Sequence, residues 1–210
     1  MSKKVYVVGG GMAVCQAFLN AGFKVVDDLK KANIVCFTGG EDVSPELYGE
    51  ENVKSYINVR RDMEEMFEFQ RAKALGIPCV GICRGGQFLN VMSGGKMWQD
   101  VDNHGIGGHG THELTCSFTG EKHQVSSTHH QMMVSGPKGS IIAVANRSSY
   151  KTNDKGTFEM GPDDRDIEVM FYPETNSLCF QPHPEFFGPG HDCYDYFFTL
   201  VKHQLEGSLK

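Results

Sequence analysis

The sequence predicts an α/β domain: a mainly parallel central sheet with an antiparallel extension. Three observations predict it. Short apolar runs alternate with helical patterns through the first half of the chain. Those runs are apolar at consecutive positions, as in strands covered on both faces. The second half carries further strand-like runs joined by turns, and one last helical pattern at its end. The chain has 210 residues, 40% of them hydrophobic. A chain of that size buries about 70% of its extended surface, so a single domain over residues 1–210 is expected.

Val5–Val8 is a β-rich run ended by Gly9-Gly10-Gly11. Ala13 to Leu19 reads as a helix stopped by Asn20 and Gly22. Phe23–Val26 and Ile34–Phe37 read as buried strands. Arg61 to Leu75 is the clearest helix, with Met63, Met66, Phe67 and Ala74 on one stripe. Asp62, Glu64 and Glu65 crowd its first turn, where the helix dipole favours negative charge. Gly76 and Pro78 stop it, and Cys79-Val80-Gly81-Ile82 is the next strand. Gly105 to Gly110 holds four glycines and reads as a mobile loop. Ile141–Ala145, Ile167–Tyr172 and Leu178–Gln181 read as strands, with a turn at Pro173 to Ser177. Cys193 to Leu205 reads as an amphipathic helix with Tyr194, Phe197, Phe198, Val201 and Leu205 inside.

Composition excludes several classes of function. The net charge is −6, so a general basic face for nucleic acid is not expected. No apolar run approaches the ~20 residues of a membrane helix. The N-terminus lacks a signal-peptide core. The seven cysteines are odd in number and scattered, which suits buried thiols in a reducing, cytoplasmic setting rather than disulfides. Cys79 and Cys83 are four apart and form neither a zinc-ribbon nor a redox pair.

Gly81-Ile82-Cys83-Arg84-Gly85 is the most informative stretch. It joins a strand to a helical pattern, Phe88 to Met92. A nucleophile held there sits on a tight, strained turn, and glycines two residues to either side remove Cβ atoms that would collide. The thiol then faces a helix N-terminus, whose positive end favours thiolate. With 25 glycines in the chain, the flanking pair alone is a weak signal. Its position between strand and helix carries the reading.

A cysteine nucleophile needs a proton acceptor, and the acceptor needs an orienting group. In Gln181-Pro182-His183-Pro184-Glu185, His183 and Glu185 are two apart at a strand end, which points both to one face. Pro182 and Pro184 stiffen the backbone. The order Cys…His…Glu does not fit an α/β-hydrolase, whose acid precedes its histidine. After the strand ending at Phe37, Gly39-Gly40 offers unhindered backbone N–H groups. With the N–H of Arg84, such groups can stabilise a tetrahedral oxyanion.

Together these stretches resemble the glutamine amidotransferase superfamily with a Cys-His-Glu triad. The branch they resemble most is that of the γ-glutamyl hydrolases and γ-glutamyl-GABA hydrolases. The motifs are Gly39-Gly40-Glu41-Asp42-Val43-Ser44-Pro45 with Leu47-Tyr48-Gly49-Glu50; Gly81 to Gln87; Leu89-Asn90-Val91; Gly94-Gly95 to Gln99-Asp100; Ser127-Thr128-His129-His130-Gln131; and Gln181 to Glu185. They span residues 34–187. The resemblance implies a flavodoxin-like three-layer sandwich, with Cys83 as nucleophile, His183 as base and acid, and Glu185 as its orienter. It implies oxyanion N–H groups from Gly40 and Arg84, and substrate contacts from Gly39, Gln87, His129 and His130. His129 and His130 point to opposite sides if extended, so at most one reaches the substrate directly. Gly86 stands where the family commonly has a larger residue, which implies a wider pocket. An aromatic residue is usual at Pro182, and its replacement implies a shifted approach of His183.

His104, His109 and His112 are irregularly spaced and read as part of the glycine-rich loop rather than as metal ligands; no metal or cofactor is expected. Gly9-Gly10-Gly11 lacks the third glycine of a dinucleotide fingerprint. The expected activity is hydrolysis of a γ-glutamyl amide through a thioester, most simply as a glutaminase supplying ammonia to a separate synthetase. The alternatives are a free-standing γ-glutamyl hydrolase and a catalytically silent binding or regulatory relative.

Overall fold

The first β-branched run forms β1 (Lys4–Val7), and the chain then turns through Gly9, Gly10 and Gly11, all at positive φ. The structure, a computed structural model, describes residues 2–105 and 110–209. Helix α1 (Met12–Asn20) leads to β2 (Lys24–Val26) and β3 (Ile34–Phe37). Helix α2 (Val59–Ala74) crosses to β4 (Cys79–Ile82), and α3 (Arg84–Met92) starts one residue later. Short strands follow: β5 (Lys96–Trp98), β6 (Asp100–Val101), β7 (Thr111–Cys116), β8 (Lys122–Ser126) and β9 (Met132–Val134). They continue as β10 (Ser140–Ala145), β11 (Tyr150–Asn153), β12 (Gly156–Glu159) and β13 (Asp166–Tyr172). Strand β14 (Ser177–Phe180) returns to the centre, and α4 (Asp192–Leu205) ends the fold.

The main sheet runs β2-β1-β3-β4-β14-β13-β10-β7-β8. Its first five strands are parallel and the rest are antiparallel. Strand β9 pairs with β13, and β5 with β9; β6, β11 and β12 make a small second sheet. Strands β3, β4 and β14 are buried along their whole length. Their side chains alternate between two cores. Ile34 and Cys36 meet α1 and α4 on one face, while Val35 and Phe37 meet α2 and α3 on the other. Three layers result. Register then sets the site: Phe37 is opposite Gly81, and Ile82 opposite Phe180. The residues that follow these ends, Thr38, Cys83 and Gln181, therefore emerge side by side at the carboxyl edge of the sheet, where open α/β sheets place their ligands.

Three local expectations are corrected. The run Phe23–Val26 is not a buried strand, because β2 is the edge of the sheet and leaves Lys24 and Val25 exposed. Of the stripe Met63, Met66, Phe67 and Ala74, only Met66 packs against the core; Met63 is 66% and Phe67 64% exposed, and Ala74 is exposed too. Asp62, Glu65, Phe69 and Ala72 point inward instead. The reason is Arg84, a wholly buried side chain that ion-pairs with Asp62 and Glu65. The third correction concerns His104 and His112, which are buried rather than carried on a loose loop. Residues 106–109 of that segment, His109 among them, lie outside the described residues.

Candidate active site

Cys83 is the single residue between β4 and α3, at φ 50° and ψ −114°. A non-glycine residue at positive φ is strained, and the surroundings hold it there. Its N–H donates to the Phe180 carbonyl at 2.8 Å, and its carbonyl accepts from Gln87 N–H at 3.0 Å. The flanking glycines allow the turn: a Cβ on Gly81 would overlap the Gly85 carbonyl, and one on Gly85 would overlap the Phe37 carbonyl. Gly86 has a similar role. A Cβ there would lie 2.9 Å from Phe180 N, so this glycine lets α3 pack on β14 rather than widening a pocket.

His183 does not continue a strand. Strand β14 ends at Phe180, and His183 caps a single 3-10 turn, Pro184–Phe186. Its N–H donates to Ser126 Oγ at 2.6 Å, which anchors it to β8. Nδ1 lies 2.6 Å from Glu185 Oε1, and the ring stacks flat on Phe186 with centroids 4.5 Å apart. Burial disfavours the charged ring. Cys83 and the Glu185 carboxylate outweigh it and push His183 up to about 10.

Gly39 sits between the sulfur-bearing turn and the imidazole. A Cβ on it would be 2.7 Å from His183 Cε1 and 3.6 Å from Cys83 Cβ. Gly40, at φ 142°, requires a glycine backbone, and a Cβ there would overlap the Arg61 guanidinium. Arg61 fixes this loop: Nη2 donates to the carbonyls of Thr38 and Gly39, both at 2.9 Å. Nη1 pairs with Glu41 at 2.8 Å and Nε with Glu65 at 2.8 Å. A local backbone hydrogen bond and the Arg61 and Asn58 side chains hold the Glu41 carboxyl down to about 2. Among the described residues, the backbone N–H groups of Gly40 and Arg84 have no hydrogen-bond partner. Such donors are free for a ligand oxygen.

The other sequence-derived positions are less direct. Gln87 is buried, and its amide donates to Gln181 Oε1 at 3.1 Å. Gln181 in turn points Nε2 at Cys83 Sγ, 3.6 Å away. Gln87 thus meets the sulfur through Gln181. His130 is half-buried between Asp42 at 3.0 Å and Asp100 at 3.3 Å. The Asp42 hydrogen bond raises it above the usual histidine range. His129 faces the other way, as expected for adjacent extended residues, and is buried with both ring nitrogens directed at groups other than Cys83. Sequence reasoning did not assign Arg61, Ser126 or Gln181 to the site. Only Gln181 carries a signal in the sequence, two residues before His183 in the motif Gln181 to Glu185.

The peptidase C26 family matches residues 2–185. The glutamine amidotransferase-like protein YvdE of Lactococcus lactis is 30% identical over 171 residues, which cover 72% of this chain and 65% of that protein. The chain thus spans less than two thirds of that relative's length. In fold, the chain is similar to PurLQS from Thermotoga maritima, with a TM-score of 0.64 at 20% identity, covering 97% of this chain and 99% of that one. It is also similar to the glutaminase domain of Trypanosoma brucei CTPS, solved with bound acivicin, at TM-score 0.59 and 12% identity, with 100% and 96% covered. The sheet order, the motifs in sequence and the family match agree: this chain belongs to the peptidase C26 family and has the flavodoxin-like fold of glutamine amidotransferase domains.

Proposed function

We propose that the chain hydrolyses a γ-glutamyl amide through a thioester on Cys83. The observation that carries this reading is the meeting of Cys83, His183 and Gly39 at one sheet edge, with Glu185 behind the imidazole. The Cys83 sulfur, its proton already held by His183, attacks the amide carbonyl. The tetrahedral oxyanion lies against the N–H groups of Gly40 and Arg84. His183 then protonates the leaving amine, the C–N bond breaks, and the acyl group stays on sulfur. Water, deprotonated by His183, attacks the thioester and releases glutamate. Glu185 keeps the ring oriented and favours its charged form. Gln181 holds the sulfur in place, supported by Gln87.

With glutamine as substrate the leaving group is ammonia, and the domain serves a separate synthetase that consumes it. The relatives' names favour this version. The motif His129-His130-Gln131 favours the second version, a free-standing γ-glutamyl hydrolase with a larger leaving amine. The test is release of ammonia or amine from glutamine and from γ-glutamyl amines, comparing the wild type with Cys83→Ala. Release that depends on Cys83 is expected, and equal rates in the two proteins would end the proposal. A glutaminase rate that rises on adding a synthetase supports the first version; fast turnover of a larger amine by the chain alone supports the second.

A further inference from the structure

Beside the site, on the antiparallel half of the sheet, four side chains that the proposed reaction does not use come together. They are His104 after β6, His112 on β7, His129 between β8 and β9, and Glu168 on β13. All four are buried, none more than 4% exposed. One donor atom from each lies within 4.8 Å of all the others. Glu168 Oε1 is 3.4 Å from His104 Nδ1, 3.0 Å from His112 Nε2 and 3.7 Å from His129 Nε2. A tetrahedral ion with bonds of about 2.0–2.1 Å separates its ligand atoms by about 3.3 Å. The three distances bracket that edge.

Hydrogen bonds fix two of the ring tautomers. His104 Nε2 faces the Asp166 carboxylate at 3.0 Å, and His129 Nδ1 faces the Gln131 carbonyl at 3.0 Å. Both partners are acceptors, so these nitrogens carry the protons. His104 Nδ1 and His129 Nε2 are left as bare lone pairs, buried and without hydrogen-bond partners, directed towards a carboxylate oxygen. Lone pairs opposed to an anion repel it. Protonating both rings would instead place two imidazolium ions with centroids 4.6 Å apart in a buried site. A cation between them resolves both conflicts. A carboxylate behind one ligating histidine and a carbonyl behind another is also how proteins orient metal-bound imidazoles.

We propose that His104, His112, His129 and Glu168 bind one zinc-type divalent ion in a closed tetrahedral site. Three imidazoles and one carboxylate suit zinc, whereas magnesium and calcium prefer all-oxygen shells. With all four positions taken by protein, the ion is structural. It ties together four separate segments of the antiparallel half. One of them adjoins Ser126, which anchors His183, and Ser127 Oγ donates to the His104 carbonyl at 2.9 Å. The proposal departs from the expectation of a metal-free chain and does not depend on the amidase reading.

The test is the metal content of the full chain, purified without chelator or histidine tag, measured by mass spectrometry, with cobalt as a spectroscopic probe. About one zinc per chain is expected, with the melting temperature falling on chelation and returning with added zinc. Cobalt loaded into the stripped protein should give the strong visible bands of a tetrahedral site without a sulfur-to-metal charge-transfer band. Cys83→Ala should retain the zinc, and His129→Gln should lose it. Folded wild-type protein that holds under about 0.1 zinc per chain, and gives neither a thermal shift nor cobalt bands, overturns the proposal. So does loss of the metal in Cys83→Ala, which would place the ion on the catalytic sulfur.

Discussion

Gly39 and His183 are in contact through the space that a side chain on Gly39 would fill: a Cβ there would come within 2.7 Å of His183 Cε1. The glycine is therefore needed for the position of the imidazole. Gly39→Ala should push the ring off Cys83 and cut kcat about 100-fold, with a smaller effect on KM. The thermal midpoint should fall modestly, because the displaced ring loses its contact with Cys83 while the backbone at Gly39, which does not have positive φ, is unstrained. Steady-state kinetics with a γ-glutamyl amide and a melting curve check both parts. Unchanged kcat would detach Gly39 from the site.

Glu185 and Cys83 together keep His183 protonated up to about pH 10, against the effect of burial. The sign follows from the raised value. The contribution of this contact to stability is complete below about pH 6.5 and is lost as pH rises through about 10. The imidazolium is also the acid that protonates the leaving amine, so activity should decline along the same alkaline limb. Glu185→Gln removes one of the two groups that raise His183. Its kcat–pH profile should break at lower pH than that of the wild type. An alkaline limb that does not move would show that Glu185 does not act on His183.

Arg84 is neutralised in the interior by Asp62 and Glu65, and burial pulls it down to about 10, still charged at neutral pH. Arg84→Met would take from the buried Asp62 and Glu65 carboxylates the cation they share, leaving Asp62 with Ser44 and Glu65 with Arg61, at a cost of about 3 kcal/mol. Denaturant titration should show the loss. The triple variant Arg84→Met, Asp62→Leu, Glu65→Met should recover most of it, because no buried carboxylate is stranded and the partly exposed Arg61 keeps Glu41.

Gly86 faces the backbone of β14. Gly86→Ala should lower stability by about 1–3 kcal/mol through overpacking, even though alanine favours a helix. Chemical denaturation checks it, and a stabilised variant would mean that α3 has room to move.

Legibility of the sequence followed the range of the interactions. Strands β3, β4 and β14 and helices α1 and α4 were readable because their apolar spacing is local. The turn at Cys83 was readable because the glycines flank it in sequence and Gly81 meets Gly85 four residues on, although the contact that requires Gly85 itself is with distant Phe37. Helix α2 was assigned with the wrong face, because Asp62 and Glu65 look like solvated first-turn acids until Arg84 arrives from 19 and more residues away. The strand Thr111–Cys116 was missed because it is polar on one face and carries His112 on the buried one, so no apolar run marks it. His183 was expected on a strand, but Pro184 opens a 3-10 turn that brings Glu185 back to its ring. The cluster of His104, His112, His129 and Glu168 spans segments joined only by the folded sheet, so irregular spacing concealed it.

Rapid quenching of the chain with a γ-glutamyl amide, followed by peptide mass spectrometry, addresses the thioester directly. One glutamyl group on the peptide containing Cys83, absent from Cys83→Ala and discharged by hydroxylamine, is the expected outcome. An acyl group on another residue, or steady turnover in the Cys83→Ala protein, would contradict it.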